Sequence, residues 1–257
     1  MLASMPRVAL LACLLLAACA SSRPSATSPV AEAETRLADD LFVRPLAPDV
    51  LLHVSWKTLP AWGRISSNGV VVLGSSEALL VDTAWGDEPT EALLDYVERE
   101  HHRRVTHLVV THAHDDRVGG IRAALARGVV VHELALTAER SAAQGYPPPT
   151  ETFERELPLD VDGTRAEVFF PGAAHAPDNV VVFLPASRIL VGGCMIREAS
   201  ASSIGNLADA SLETWGESLR AVEARLPTPV IVVPGHGAPG DATLLAHTAE
   251  LVRATPR

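Results

Sequence analysis

Apolar residues in this chain recur in two rhythms. Short runs rich in Val, Leu and Ile at residues 50–54, 70–73, 78–81 and 105–110 have the length and β-branched content of strands. Between the last two, Leu93, Leu94 and Val97 share one face of a predicted helix ending near Glu100, with Pro89 in its first turn and Asp87 placed to cap it. The spacing then predicts a helix at 119–126, a strand at 129–131 and a helix at 137–144, after which Pro147-Pro148-Pro149 closes the first half. The second half repeats the alternation, with strands at 167–170, 180–184, 189–191 and 230–233 and helices at 212–226 and 241–253. Two β-then-α halves predict an α/β (α+β) fold of four layers: an αβ/βα sandwich of two sheets packed face to face with helices outside.

One apolar run stands apart from this alternation. Arg7 precedes residues 8–16, and Leu16-Ala17-Ala18-Cys19 follows, which reads as an export signal over residues 1–18. The run falls short of the roughly 20 apolar residues needed to span a membrane. The last four residues resemble a bacterial lipobox, which implies a mature chain starting at a lipidated Cys19; ordinary signal cleavage nearby is the alternative. Residues 19–36, rich in Ser, Ala, Pro and Thr, read as a flexible tether, and 37–257 as the folded domain. The expected location is the periplasm, with membrane contact only through a lipid anchor to the outer membrane.

Composition narrows the function. With 47% hydrophobic residues in 257, a sizeable core is available, and the net charge of −10 argues against nucleic acid, which calls for a basic surface. A monomer acting on a small molecule is expected. Of the three cysteines, Cys13 and Cys19 belong to the export segment, leaving Cys194 without an internal disulfide partner. A lone thiol in an oxidising compartment is a liability unless it is buried or holds a metal.

The segment Thr111-His112-Ala113-His114-Asp115-Asp116 follows the 105–110 strand and offers two imidazoles and a carboxylate at alternating positions. His175, Cys194 in a Gly-Gly-Cys turn, and His236 in Pro234-Gly235-His236-Gly237 also fall just beyond strands. Zinc accepts imidazole, carboxylate and thiolate together, and loops at strand ends let distant side chains converge. Any one of these histidines alone reads more readily as a surface or core residue; six candidates of this type make that reading hard to sustain jointly.

This series, in this order, resembles the class B metallo-β-lactamases of subclass B1, over roughly residue 49 to the C-terminus. The resemblance implies the metallo-β-lactamase fold, with two mixed β-sheets, and two Zn²⁺ per chain: one held by His112, His114 and His175, the other by Asp116, Cys194 and His236. Related hydrolases for esters, lactones and thioesters usually carry a histidine directly after the Asp of the HxHxD run. Here Arg117 stands there and cannot ligate zinc, so the second site needs Cys194.

Further roles follow from the resemblance. Arg197, three residues after Cys194, holds the place of a family lysine that pairs with the substrate carboxylate; a guanidinium can do so through two parallel hydrogen bonds. Asn206, in Gly205-Asn206-Leu207-Ala208-Asp209-Ala210, would donate to the lactam carbonyl, although Gly-Asn is also plain turn chemistry. Residues 55–68 resemble a mobile hairpin loop in which Trp62 gives apolar contact to substrate; a buried core anchor is the other reading of Trp62. Asp82 and Arg117 would lie beneath the metals and orient their ligands, and Asp116 would assist proton transfer. The implied activity is hydrolysis of the β-lactam amide of penicillins, cephalosporins and carbapenems, which confers antibiotic resistance. Hydrolysis of another ester, lactone or thioester on the same scaffold is the alternative.

Overall fold

The computed structural model describes Met1 and residues 34–256. The expected signal, Cys19 and the tether up to residue 33 lie outside the described residues. Strands β1 (Thr35–Ala38), β2 (Leu41–Ala47), β3 (Val50–Leu59), β4 (Gly63–Leu73) and β5 (Glu77–Val81) form an antiparallel meander. Helix α1 (Asp87–His101) then leads to β6 (Arg104–Val109), α2 (Asp115–Val118), α3 (Ile121–Ala126), β7 (Val130–Leu134), α4 (Ala135–Ala143) and β8 (Glu151–Phe153), and β5 to β8 pair in parallel. The second sheet holds β9 (Glu156–Val161), β10 (Thr164–Phe169), β11 (Val181–Leu184), β12 (Ile189–Gly193) and β13 (Ile231–Pro234), only the last pair being parallel. Helices α5 (Leu212–Arg225) and α6 (Thr243–Ala254) follow β12 and β13.

The alternation of side chains along strands builds the four layers. In β5, Leu80 joins a core with Leu93 and Val97 of α1 and Ile121 of α3, while its neighbours Leu79 and Val81 point the other way, toward Val168, Val182 and Val191 of the second sheet. In β11, Val182 faces that inter-sheet core whereas Val181 and Phe183 pack with Trp215 and Leu219 of α5 and Leu244 of α6. Three apolar interfaces therefore separate helices, sheet, sheet and helices. This is the expected αβ/βα sandwich of two mixed sheets, although the sheets are unequal, at eight and five strands among the described residues. No helix among those residues is long and apolar enough to cross a membrane.

Several boundaries differ from the sequence reading. The first strand starts at Thr35, ahead of the expected domain start at residue 37. Asp87 does not cap α1: Gly86 is the N-cap, and the Asp87 carboxylate accepts from the Ala123 N–H at 3.1 Å. The helix expected at 119–126 is α3 and starts at Ile121; Gly119-Gly120 separate it from the one-turn α2, and a Cβ on Gly120 would sit 1.9 Å from Thr90 Oγ1. The hairpin expected at 55–68 is there as an extension of β3 and β4 beyond the strands expected at 50–54 and 70–73, with Trp56 opposite Ser66 and Thr58 opposite Arg64, closing in a turn that carries Trp62.

Candidate metal centre

The C-terminal ends of β6, β12 and β13 deliver most of the candidate ligands to one edge of the sandwich. His112 and His114 lie between β6 and α2, His175 between β10 and β11, Cys194 directly after β12 and His236 one glycine beyond β13. Gly193 turns the chain with φ +54°, and Gly235 lets the next loop pass so close that a Cβ there would meet Cys194 Sγ at 2.5 Å.

His112 Nε2 lies 3.0 Å from His114 Nδ1, which lies 3.2 Å from His175 Nε2. Beside them, Cys194 Sγ is 3.2 Å from His236 Nε2 and 3.6 Å from Asp116 Oδ2, and that oxygen is 3.5 Å from His236 Nε2. Ligand atoms placed tetrahedrally around zinc at about 2.0–2.3 Å would stand roughly 3.3–3.7 Å apart, so both clusters have the size of a zinc site. His112, Asp116 and Cys194 also fall within 4.8 Å of one another, so the two clusters adjoin.

The outer nitrogens fix which atoms face inward. His236 Nδ1 lies 2.5 Å from the Ser66 carbonyl and can only donate to it, which leaves Nε2 a lone pair toward Cys194 and Asp116. His114 Nε2 lies 2.8 Å from Asp209 Oδ2, which leaves Nδ1 a lone pair toward His112 and His175. Burial and the neighbouring imidazoles push His175 down to about 3 and His112 well below its ordinary range, so both rings are neutral acceptors near pH 7. Burial pushes the Cys194 thiol up, so a cation has to displace its proton. Converging lone pairs of four imidazole nitrogens, a thiol and a carboxylate fit borderline-soft divalent ions.

Arg117 lies under the second cluster with no exposed surface. It contacts Asp116 and Asp82 and donates to the Asn68 carbonyl at 2.5 Å and the Gly235 carbonyl at 2.7 Å. Burial favours the protonated form of Asp116, but the Arg117 guanidinium outweighs it and holds the carboxyl far below the usual range. Asp82, at φ +61°, accepts from the Thr111 N–H at 2.8 Å and the Thr111 hydroxyl at 2.9 Å. Burial pushes its carboxyl up to about 6 against the pull of Arg117 and Thr111.

Arg197 is half-buried, and among the described residues its guanidinium has no hydrogen bond or ion pair; it packs on Gly205, where a Cβ would lie 3.2 Å from Nη1. This brings Arg197 to the loop bearing the exposed Asn206, whose Oδ1 accepts from the Ala208 N–H at 3.1 Å and leaves its amide N–H groups free. Trp62 stands apart at the hairpin tip, 54% exposed, which answers the core-anchor reading. Asp209 stands outside the ligand and support residues expected from the sequence, although it lies within the 205–210 run. So do Ser67 and Asn68 of β4: the Ser67 hydroxyl donates to the Asp116 carbonyl, and Asn68 donates to the carbonyls of Pro234 and Gly237.

A sandwich of this kind with paired His and His/Asp/Cys clusters at one edge defines a metallohydrolase. The model of the Metallo-beta-lactamase superfamily matches residues 62–236. The chain is 41% identical over 189 residues to a metallo-beta-lactamase type 2 of Bacillus sp. (strain 170), covering 74% of each chain, and 35% identical over 223 residues to one of Bacteroides fragilis, covering 87% and 90%. Among solved structures, a metallo-beta-lactamase from Pontibacter korlensis superimposes with a TM-score of 0.81 at 39% identity, covering 84% of this chain and all of that one. The chain belongs to the metallo-β-lactamase superfamily and, within it, to the class B enzymes of subclass B1.

Proposed function

We propose that this enzyme hydrolyses the amide bond of penicillins, cephalosporins and carbapenems with two zinc ions, one at His112, His114 and His175 and one at Asp116, Cys194 and His236. The observation that carries the reading is the pair of adjoining clusters beside Arg197, a guanidinium with no partner among the described residues. Zinc supplies a Lewis acid and lowers the pKa of water enough to make hydroxide available near neutral pH.

The chain's own groups bind and orient the substrate. Arg197 takes the carboxylate that these antibiotics carry beside the lactam nitrogen, through two parallel hydrogen bonds. The Asn206 amide donates toward the lactam carbonyl, where negative charge develops. Trp62 closes over the apolar face of the substrate and excludes water. Asp116 is ionised at rest, and Arg117 occupies its Oδ2, so its part in proton transfer is brief acceptance at the other oxygen. Cys19 as a lipid anchor in the outer membrane belongs to the same reading, which mass spectrometry of the membrane-extracted protein would test.

The deciding experiment measures turnover of a chromogenic cephalosporin and a carbapenem before and after chelation. Rapid hydrolysis of either, abolished by the chelator and restored by zinc, supports the proposal. A folded, zinc-loaded protein inert to both but active on an ester, lactone or thioester would overturn it.

A further inference from the structure

The side chain that orients His114 is itself weakly placed. Asp209 sits in an irregular segment between β12 and α5, and its side chain is 38% exposed. A carboxylate on such a loop has no intrinsic reason to stay on one imidazole, because holding it there costs side-chain and backbone entropy. What meets it from the other side is Arg140, on α4, whose Nη2 lies 3.1 Å from Asp209 Oδ2, the same oxygen that accepts from His114. The Nε of Arg140 lies 3.4 Å from Oδ1 of Asp178, a fully buried carboxylate, close enough for an ion pair though not aligned for a hydrogen bond. Asp178 is fixed in turn: its Oδ2 accepts from the Ala113 N–H at 2.8 Å and from the Thr137 hydroxyl at 2.9 Å. Ala113 is the residue between His112 and His114, and α4 also sends Gln144, at its C-cap, to the Ala113 carbonyl at 2.5 Å.

We propose that Arg140 is a positioning residue for the first metal site, a cationic bridge that pins the loop carboxylate of Asp209 against His114 by anchoring it to buried Asp178. The proposal rests on reading His112, His114 and His175 as a zinc site. One guanidinium thus joins the two supports of the same ligand pair, the carboxylate that sets the His114 ring and the carboxylate that holds the backbone between the two histidines. A fork with fixed geometry suits this role, whereas a lysine could satisfy one carboxylate at a time.

The test compares zinc affinity at the first site and the rate of zinc loss to a chromophoric chelator in the unaltered protein, Arg140→Leu, Arg140→Lys, Asp209→Asn and the Arg140→Leu/Asp209→Asn double variant. Removing a direct partner of a metal-bound histidine typically costs 10–100-fold in affinity, so Asp209→Asn should fall in that range and Arg140→Leu about 5–10-fold. Arg140→Lys should recover part of the loss, and Arg140→Leu should add nothing further in the Asp209→Asn background. Equal affinity and release rate in the unaltered protein and Arg140→Leu would overturn the proposal, as would a full additive loss in the double variant, which would mean Arg140 supports only the fold. If Arg140→Leu does not fold, Arg140→Gln takes its place, and unaltered zinc affinity there overturns the proposal equally. Failure of the unaltered protein to bind zinc at all would instead refute the metal-site reading, so the two failures are separable.

Discussion

Arg117 places both its Nε, at 2.9 Å, and its Nη2, at 2.7 Å, on the same carboxylate oxygen of Asp116. The cation therefore does not merely neutralise Asp116. It fixes the direction in which that oxygen faces Cys194 and His236, and through two backbone carbonyls it ties β4 to the loop carrying His236.

Replacing Arg117 by leucine leaves Asp82 and Asp116 buried without their cation. Removing one partner of a buried ion pair typically costs about 3–5 kcal/mol. The expected outcome is a chain with a strongly reduced unfolding temperature and one zinc fewer at saturation. Arg117→Lys should fold better yet still bind the second zinc weakly, because an ammonium cannot hold both contacts and two carbonyls. Thermal unfolding with zinc titration checks both.

Trp62 and the hairpin stem should act on binding more than on chemistry. Asp115 accepts from Lys57 of β3 at 2.6 Å, from the Trp85 indole at 2.7 Å and from the Tyr146 hydroxyl at 2.5 Å, which ties the stem to the start of α2. The Lys57 pair is half-exposed and worth under about 1 kcal/mol alone, so Lys57→Ala should be nearly silent. Trp62→Ala should raise KM several-fold with kcat little changed. A fall in kcat with constant KM would show that the tip takes part in the transition state.

His53 predicts a pH dependence of stability. It is fully buried, and desolvation lowers it to about 4, against a hydrogen bond to the Asp82 carbonyl that pulls the other way. Its unfolded value is about 6.5, so between the two the unfolded chain binds the extra proton. The stability held by neutral His53 is complete above about pH 6.5 and lost as pH falls toward 4, on the order of 3 kcal/mol in all. Urea unfolding of the zinc-free protein from pH 4 to 7.5 should show a steeper rise than in His53→Gln. Parallel curves would refute the assignment.

How much of this was legible in the sequence depended on how each residue earns its place. Leu93, Leu94 and Val97 declare α1 by their spacing, and the ligands of both clusters declare themselves by residue type just beyond strands. Strand β2 escaped because Pro45 interrupts its alternation of Leu41 and Val43, and β9 because Pro158 does the same within 156–161. The outer stem of β3 and β4 is polar, and its main-chain pairing needs no apolar face to form. Asp209 meets His114 across 95 residues from an irregular loop, a relation no local spacing encodes.

Loss of the thiolate should separate the two sites. Cys194 is 1% exposed and belongs to the second cluster alone among the proposed ligand sets, so Cys194→Ala should fold with the first site intact and hydrolyse β-lactams at least tenfold more slowly. Steady-state kinetics in excess zinc checks this, and an unchanged rate would mean that the second metal is dispensable.

Two distinct zinc sites on one chain fix the metal stoichiometry, which native mass spectrometry under zinc saturation counts. The unaltered protein should hold two zinc ions, Cys194→Ala one, and Cys194→Ala combined with His175→Ala none. A single zinc at saturation in the unaltered protein, or two in Cys194→Ala, would contradict that stoichiometry.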